Sequence, residues 1–336
     1  MKTNVRRIAL KSEVLSLLLI VLLCIAFSIA NPAFFHIINI LDLLKVCSYP
    51  TIFACGVMIV LISGGLDMSF MWIGMFSAYS TSKMLSLLQV GQGIVMPLPV
   101  IFAISTCIGA LLGSFNALLV SKFRLPVFIA TLSSANIFMG VMFQFIGSEY
   151  IFPAQMPVRM IEFSKTLLFA TQSADGTPVG LHASVLVAAG VCLVVHFIMR
   201  YTLVGRSVYC IGGDEAAAER VGFSRTRTRL FIFMLAGAIA GLAGIVGVSN
   251  IQVANPYDFQ NRELTVTAAV VIGGTRITGG SGSVIGVVLG VILTNIISQN
   301  LVLIGVQPEY SKFVFGILVL FAATVQGLQT KLRNRK

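Results

Sequence analysis

Apolar segments near the length of a bilayer constrain this chain more than any other feature of its sequence. A transmembrane helix needs about 20 mostly apolar residues, and such segments recur from one end of the chain to the other. They fall at about residues 14–31, 47–63, 68–88, 97–120, 127–146, 181–199, 229–248, 264–273, 283–302 and 311–328. The sequence therefore predicts an all-α integral membrane protein of about ten transmembrane helices.

Two of these segments need a closer look. The eighth is short and rich in β-branched residues, so we expect a tilted or broken helix there. The first follows basic residues as a signal peptide would, but it is long for a signal and runs into Asn31-Pro32. We interpret it as a retained helix.

Charge is scarce and unevenly distributed. Only 10% of the 336 residues are charged, too few to cover a soluble protein of this size, so we expect residues 1–336 to form a single transmembrane domain. An even number of spans puts both termini on one side, and 17 of the 23 Lys and Arg residues then share that side. The positive-inside rule predicts that this side, with both termini, is cytoplasmic. A basic surface facing anionic lipid accounts for the net charge of +11 without nucleic acid.

The six cysteines and three histidines are scattered. Their spacing matches neither a zinc site nor a disulfide framework, and no Cys/His pair suggests a nucleophile. We predict no metal site and read the cysteines as small apolar side chains.

The longest polar stretch on the predicted inner side covers residues 200–229. Within it, Gly212-Gly213 should break the chain, Asp214 can act as an N-cap, and Gly222 suits a C′ position. The residues between them favour a helix of about two turns, which is marginal in water by itself. It should therefore pack against its own helix ends or another protein, and a plain connecting loop is the alternative.

Residues 205–222 resemble the coupling segment of the ribose-type sugar permeases of ABC importers, within the sugar and branched-chain amino acid permease superfamily. Three further segments are similar to blocks of that family and follow its order: Ser63-Gly-Gly-Leu-Asp-Met-Ser69, Leu125-Pro-Val-Phe-Ile-Ala-Thr-Leu132, and Ala268-Ala-Val-Val-Ile-Gly-Gly-Thr275 with Gly279-Gly-Ser-Gly-Ser-Val-Ile-Gly286. The chain departs from the family at Phe70-Met-Trp-Ile-Gly74, where large side chains replace a small turn. Its solute path need not match that of a typical sugar permease.

The resemblance implies a permease subunit, not an enzyme, that passes a sugar or sugar-like solute inward by alternating access. It also implies a bacterial-type cytoplasmic (inner) membrane as the location. It implies cytoplasmic ATP-binding subunits, an extracytoplasmic solute-binding protein, and a second permease copy or a paralogue as partners, besides membrane lipid. ATP would be bound by the partner, so no cofactor is expected in this chain. The residues implied in coupling to the ATPase are Gly212, Gly213, Asp214, Glu215, Ala217, Ala218 and Gly222.

Polar groups within or beside the apolar segments are candidates for a solute path. Asp67 lies between two apolar runs, where an ionisable group is costly and often functional. We favour a role as the N-cap of the third helix, and the two roles can coexist. Uncharged amides and hydroxyls suit sugar hydroxyls, but they also serve as bonds between helices. The candidate path residues are Gly64, Gly65, Asp67, Ser69, Asn116, Asn136, Thr294 and Asn295.

Glycine patterns make three further predictions. Gly109 with Gly113, and Gly237 with Gly241, have the Gly-x-x-x-Gly spacing of close helix packing. Residues 274–281 imitate a phosphate-binding loop but carry glycine where its lysine should be, so we predict no nucleotide site there. Gly64-Gly65 and Gly273-Gly274 could mark the same place in two internal halves.

Two other functions remain open from the sequence. A secondary transporter driven by an ion gradient needs intramembrane ionisable groups, and apart from Asp67 the spans offer almost none. An intramembrane enzyme needs a nucleophile and a base at matching depth, and none is evident. Neither alternative explains the short inner helix.

Overall fold

The computed structural model describes residues 12–30, 32–172 and 178–303, together with residues 307, 310, 312–317, 320 and 324. Helices dominate this part of the chain. In chain order they are α1 Ser12–Ala30, α2 Ile37–Ile62, α3 Phe70–Gln92, α4 Leu98–Ser121, α5 Val127–Val141, α6 Val158–Lys165, α7 Ala183–Tyr201, α8 Leu203–Gly213, α9 Glu215–Arg220, α10 Arg225–Ile251, α11 Glu263–Ile272 and α12 Val284–Leu303. A 3₁₀ turn at Pro32–Phe35 precedes α2, and a π-helix at Met142–Ile146 continues α5.

The helices follow the apolar segments of the sequence. Among the described residues, α2, α4, α5 with its π-helical continuation, α7 and α10 are long and apolar enough to cross a membrane. Shorter apolar stretches lie in α1, α11 and α12. An all-α membrane protein is thus confirmed as the fold class. The tenth predicted segment, 311–328, falls mostly outside the described residues.

Helix α3 has the length of a span but a more polar composition. Its hydroxyl groups bond to carbonyls one turn back on the same helix, as Ser77 Oγ does to Ile73 O at 2.7 Å and Thr81 Oγ1 to Ser77 O at 2.7 Å. Both residues are fully buried. Protein rather than lipid therefore surrounds these polar groups, and their hydrogen bonds are satisfied within the helix.

Two local predictions need correction, and two elements were not predicted. Helix α2 begins at Ile37, ten residues before its apolar segment, because the helix continues through a turn that includes Asp42. Helix α8 includes Gly212 and ends at Gly213, so the break in the chain comes after the two glycines, at Asp214. Helix α6 was not predicted, and neither was an antiparallel hairpin formed by β1 Leu167–Gln172 and β2 Pro178–His182.

Helices α2 and α10 form the centre of the molecule. In the most apolar stretch of each helix, protein buries 83% of the residues in α2 and 72% in α10. The corresponding share is 22% in α4 and in α7. Helices α3, α4 and α2 all pack against α10, while α7, α11 and α12 pack against α2. The outer helices therefore present their remaining apolar surface to the surroundings, as expected in lipid.

Two pairs of glycines bring α4 and α10 into backbone contact. A Cβ atom added at Gly109 would lie 2.9 Å from the Cα of Gly241, and one at Gly237 would lie 2.8 Å from the Cα of Gly113. These distances are shorter than Cβ atoms show in real proteins. Ser105 Oγ also donates a 2.8 Å hydrogen bond to the Gly241 carbonyl. The predicted packing role of both Gly-x-x-x-Gly pairs is confirmed.

The two ends of the helix bundle differ. We call the end where Ile62, Gly212 and Gly280 meet the junction side. The opposite end, the hairpin side, holds the β-hairpin and an isolated antiparallel pairing of Ile151 with Ala254. His182, at the end of the hairpin, caps α7 by accepting from the backbone N–H of Ser184.

The α4–α10 contact predicts a sharp difference between two helix glycines. Gly237→Ala should destabilise the protein by about 1–3 kcal/mol, because the new methyl overpacks a backbone contact. Gly190→Ala on α7 is the matched control, since a Cβ there meets nothing within 4 Å. Thermal unfolding of the purified protein in detergent measures both changes. Equal melting temperatures for the two variants would contradict the packing role of Gly237.

Candidate functional site

The candidate coupling segment folds as two short helices, α8 and α9, between the long helices α7 and α10. Thr202 Oγ1 caps α8 by accepting from the Gly205 N–H at 3.1 Å. At Gly205 a Cβ would lie 2.6 Å from the Cα of Met199, so the chain reverses tightly after α7. Thr228 Oγ1 donates to Ser207 Oγ at 3.1 Å and thereby ties α8 to the first turn of α10.

Helix α9 has both of the caps that the sequence predicted. Asp214 Oδ1 accepts a 2.9 Å hydrogen bond from the Ala217 N–H at its N-terminus. At the other end, Gly222 has a φ of +91° and its N–H donates to Glu219 O, while the Phe223 N–H donates to Ala218 O. This pair of hydrogen bonds is a Schellman motif, which needs a left-handed residue at Gly222. The two caps explain how a helix of only six residues is stable.

One face of α9 is anchored to its own chain. Glu215 Oε1 forms ion pairs with Arg225 Nε and with Arg229 Nη2, the latter at 3.3 Å, and both arginines lie in the first turns of α10. Ala218 is only 2% exposed. Glu215 and Ala218 therefore hold α9 in place, and neither arginine was identified from the sequence.

The other face of α9 is exposed. It consists of Ala216, Glu219, Arg220 and the following Val221, whose side chain is 71% exposed. Of the predicted coupling residues, Gly213 and Gly222 are also open, with no atom within 4 Å of an added Cβ. The exposed residues could have been found from the sequence by counting positions around the helix from the Asp214 cap.

Gly212, unlike Gly213, has no room for a side chain. A Cβ there would lie 2.8 Å from the backbone nitrogen of Gly280 and closer still to the Ile62 carbonyl oxygen. The segment that resembles a phosphate-binding loop thus brings its glycines against α8 and the end of α2.

A second cluster gathers three of the predicted path residues. Asp67 Oδ1 accepts from the Ser69 N–H at 2.7 Å and from Ser69 Oγ at 2.6 Å. Asn116 Nδ2 on α4 donates to Ser69 Oγ at 2.7 Å, and Thr131 Oγ1 on α5 accepts from the Met68 N–H at 3.0 Å. These hydrogen bonds fasten the α2–α3 connection to α4 and α5.

The cluster is enclosed by protein. Asp67 is 3% exposed, and Ser69 and Asn116 are fully buried. Asp67 does not cap α3, because its carboxylate bonds to the residue two positions on, and Ser69 occupies the N-cap position. Asn116 Oδ1 is buried and has no hydrogen-bond partner, which leaves one acceptor in this cluster unused.

The remaining path candidates are spread over the fold. Gly64 and Gly65 end α2 in a Schellman turn, with Gly64 at a φ of +84°. Thr294 and Asn295 on α12 both donate to the carbonyl of Val291 on their own helix. Asn136 also bonds to its own helix, at Leu132 O, but its side chain lies on the exposed face of α5.

The end of α11 repeats the cap that ends α2. Gly274 has a φ of +95°, its N–H donates to Val271 O, and the Thr275 N–H donates to Val270 O. At α2 the corresponding donors are the N–H groups of Gly64 and Gly65. Gly64 and Gly274, one glycine from each pair singled out in the sequence, therefore hold equivalent positions at the ends of two helices on the junction side. The pairs themselves are offset by one residue, because Thr275 stands where α2 has Gly65.

A family described as the branched-chain amino acid transport system / permease component matches residues 39–323. That range contains nearly all of α2 and every later helix named above. The chain belongs to this permease family. It is a transport subunit and not an enzyme, the permease of an ABC importer, and a multi-pass protein of the bacterial inner membrane.

Curated relatives of this permease match along most of their length. The ribose import permease protein RbsC of Bacillus subtilis is 33% identical over 309 residues, 90% of this chain and 88% of its own. The probable ABC transporter permease protein YphD of Escherichia coli is 30% identical over 324 residues, covering 96% and 92%. The fructose import permease protein FruG of Bifidobacterium longum is 29% identical over 279 residues, covering 83% and 79%. No solved structure matches the chain.

Because Glu215 anchors α9 to α10, we expect removal of its charge to destabilise α9 locally. Glu215→Gln should make the backbone amides of residues 215–222 exchange with deuterium about threefold faster, because partly exposed ion pairs contribute up to about 1 kcal/mol. Glu219→Gln is the matched control, since Glu219 is exposed and lies on the opposite face of the same helix. Hydrogen exchange read by mass spectrometry compares the two, and identical rates would contradict the anchoring role of Glu215.

Proposed function

We propose that this permease carries a sugar or sugar-like solute inward through alternating access, driven by ATP-binding subunits that dock on α9. A solute-binding protein would deliver the solute at the hairpin side. The observation that carries the proposal is α9 itself, a helix of six residues that is capped at both ends, anchored on one face and exposed on the other. An exposed face held rigidly at a helix junction suits a docking element.

The proposal assigns the junction side to the cytoplasm. Basic residues concentrate there, at Arg206, Arg220, Arg225 and Arg227 in the coupling segment and at Arg124 after α4. The positive-inside rule supports this orientation. Both termini would then be cytoplasmic and the chain would cross the membrane about ten times, with the tenth span within residues 311–328.

The solute would be an uncharged polar molecule. The relatives named above as import permeases for ribose and fructose support a sugar. Amide and hydroxyl groups in the spans can exchange hydrogen bonds with sugar hydroxyls without the cost of an intramembrane charge. Specificity among sugars would reside largely in the solute-binding protein.

We place the solute path beside α5. Its exposed face carries the polar residues Ser133 and Asn136, and Gln144 is exposed in its π-helical continuation. At Gly140 an added Cβ meets no other atom within 4 Å. Polar groups on the surface of a transmembrane helix are unfavourable in lipid, so this face suits a water-filled path or a second permease subunit. A second copy, or a paralogue, would supply the opposite wall.

The other candidate path residues would act less directly. Asp67, Ser69 and Asn116 would fix α3, α4 and α5 relative to each other, and Gly64 and Gly65 would end α2 beside them. Thr294 and Asn295, bonded to their own helix, would come into contact with the solute only if α12 turned.

The rival proposal is a transporter driven by an ion gradient. Such a protein needs a carboxylate that can bind a proton or sodium ion within the membrane. Asp67 is the candidate, but Ser69 already occupies one of its oxygens with two hydrogen bonds. The exposed face of α9 has no role in that mechanism.

Docking on α9 predicts which substitution separates the permease from its ATPase. Ala216→Arg places a large charge on the exposed face and should abolish co-purification of the ATP-binding subunit from detergent-solubilised membranes. Ala154→Arg, the same change at an exposed residue on the hairpin side, should leave co-purification intact. If no ATP-binding subunit accompanies even the native chain, the gradient-driven transporter becomes the better explanation. Retention of the subunit by Ala216→Arg would instead place docking elsewhere.

A further inference from the structure

The end of α8 is held by backbone contacts to two other parts of the bundle. Besides Gly212, which touches Ile62 O and Gly280 N, the Gly280 N–H donates to Ile62 O at 2.8 Å. Tyr209 Oη, one turn before Gly212, donates to Gly282 O at 2.9 Å. Burial raises the pKa of the Tyr209 phenol, so the donor proton is retained well above neutral pH. We call this contact of α8, α2 and the α11–α12 connection the three-way junction.

Close approach at the three-way junction requires glycine on each side. A Cβ at Gly279 would lie 2.6 Å from Gly212 O and 2.9 Å from the Cα of Gly64. Gly64, Gly279 and Gly280 all have positive φ values, which other residues adopt only with strain. Backbone meets backbone here, and no side chain lies between to absorb a displacement by changing its rotamer.

The three-way junction lies directly beside the docking helix. Asp214 alone separates α8 from α9, so only Gly213 and Asp214 lie between Gly212 and the start of α9. Gly212 in turn contacts the end of α2, the central helix, and the connection between α11 and α12. Helices α2 and α11 end in the two equivalent Schellman turns at Gly64 and Gly274, so a displacement of α9 would reach the same point at the end of each.

We propose that Gly212 is a positioning residue that transmits movement of α9 into α2 and the α11–α12 connection, and so couples ATP hydrolysis to the opening of the path. The inference rests on the proposed function and adds the route from the docking helix to the membrane. The role of Gly212 differs from that of Glu215, which ties α9 to α10.

Gly190 provides the control. It is a helix glycine on α7, outside the coupling segment and the candidate path, and a Cβ there meets nothing within 4 Å. At Gly212 the new Cβ collides with Ile62 O and Gly280 N. A difference between the two alanine variants therefore reports the three-way junction and not the loss of a helix glycine.

The test uses the complete transporter, with its ATP-binding subunit and solute-binding protein, in proteoliposomes. Gly212→Ala should still co-purify with the ATPase and hydrolyse ATP, but should import about tenfold less solute per ATP hydrolysed, the size of effect that altered coupling commonly produces. Gly190→Ala should stay within about twofold of the native ratio. A native ratio of import to hydrolysis for Gly212→Ala would overturn the inference while leaving the proposed function standing.

A milder variant covers the case in which Gly212→Ala does not fold. Tyr209→Phe keeps the ring and removes only the hydrogen bond to Gly282 O, so it should lower import per ATP by about two- to fivefold. An unchanged ratio in Tyr209→Phe, with Gly212→Ala unfolded, would overturn the inference. Absence of ATP-dependent import by the native complex would overturn the proposed function itself, and the inference with it.

Discussion

Helices in this protein meet backbone to backbone, and the rest of the structure depends on those contacts. Apolar side chains gain little by leaving lipid for protein, so helix association relies on close packing and hydrogen bonds. No side chain separates α4 from α10 at Gly109 and Gly237. The short helix α11 meets α12 in the same way, since a Cβ at Gly273 would lie 2.6 Å from the carbonyl carbon of Gly286. Helices joined like this move together, because no compressible layer lies between them.

Rigid contacts between helices suit a permease subunit that is driven by ATP hydrolysis in a partner subunit. Helix α9 is small, but its caps at Asp214 and Gly222 and its ion pairs to α10 hold it in one position. A displacement of α9 is then passed on, whereas a flexible loop would absorb it. In the mechanism proposed above, Asp67 would stabilise the bundle through Ser69, and uncharged groups such as Asn136 would line the path. This permease would then do mechanical work, while its partner hydrolyses ATP.

The sequence predicts the helices and α9 well because both depend on local features. A span needs apolar length, and a short helix is marked by its cap residues. Gly212 and Gly213 look alike in the sequence, yet only at Gly212 would an added Cβ collide with the three-way junction, which joins segments far apart in the chain. The amides of Asn136 and Asn295 are likewise indistinguishable until the fold sets which helix face is open. The β-hairpin was missed because tertiary contacts support it, as when His182 Nε2 meets Ser164 O at 2.8 Å.

Solute import by the purified complex distinguishes ATP hydrolysis from an ion gradient as the energy source of this permease. Proteoliposomes containing the permease, its ATP-binding subunit and its solute-binding protein would be supplied with radiolabelled ribose or fructose. Either ATP with Mg²⁺ or an imposed proton or sodium gradient would then be added. We expect import that requires ATP, the ATP-binding subunit and the solute-binding protein, and that persists when ionophores collapse the proton and sodium gradients. Import driven by a gradient without ATP would contradict it.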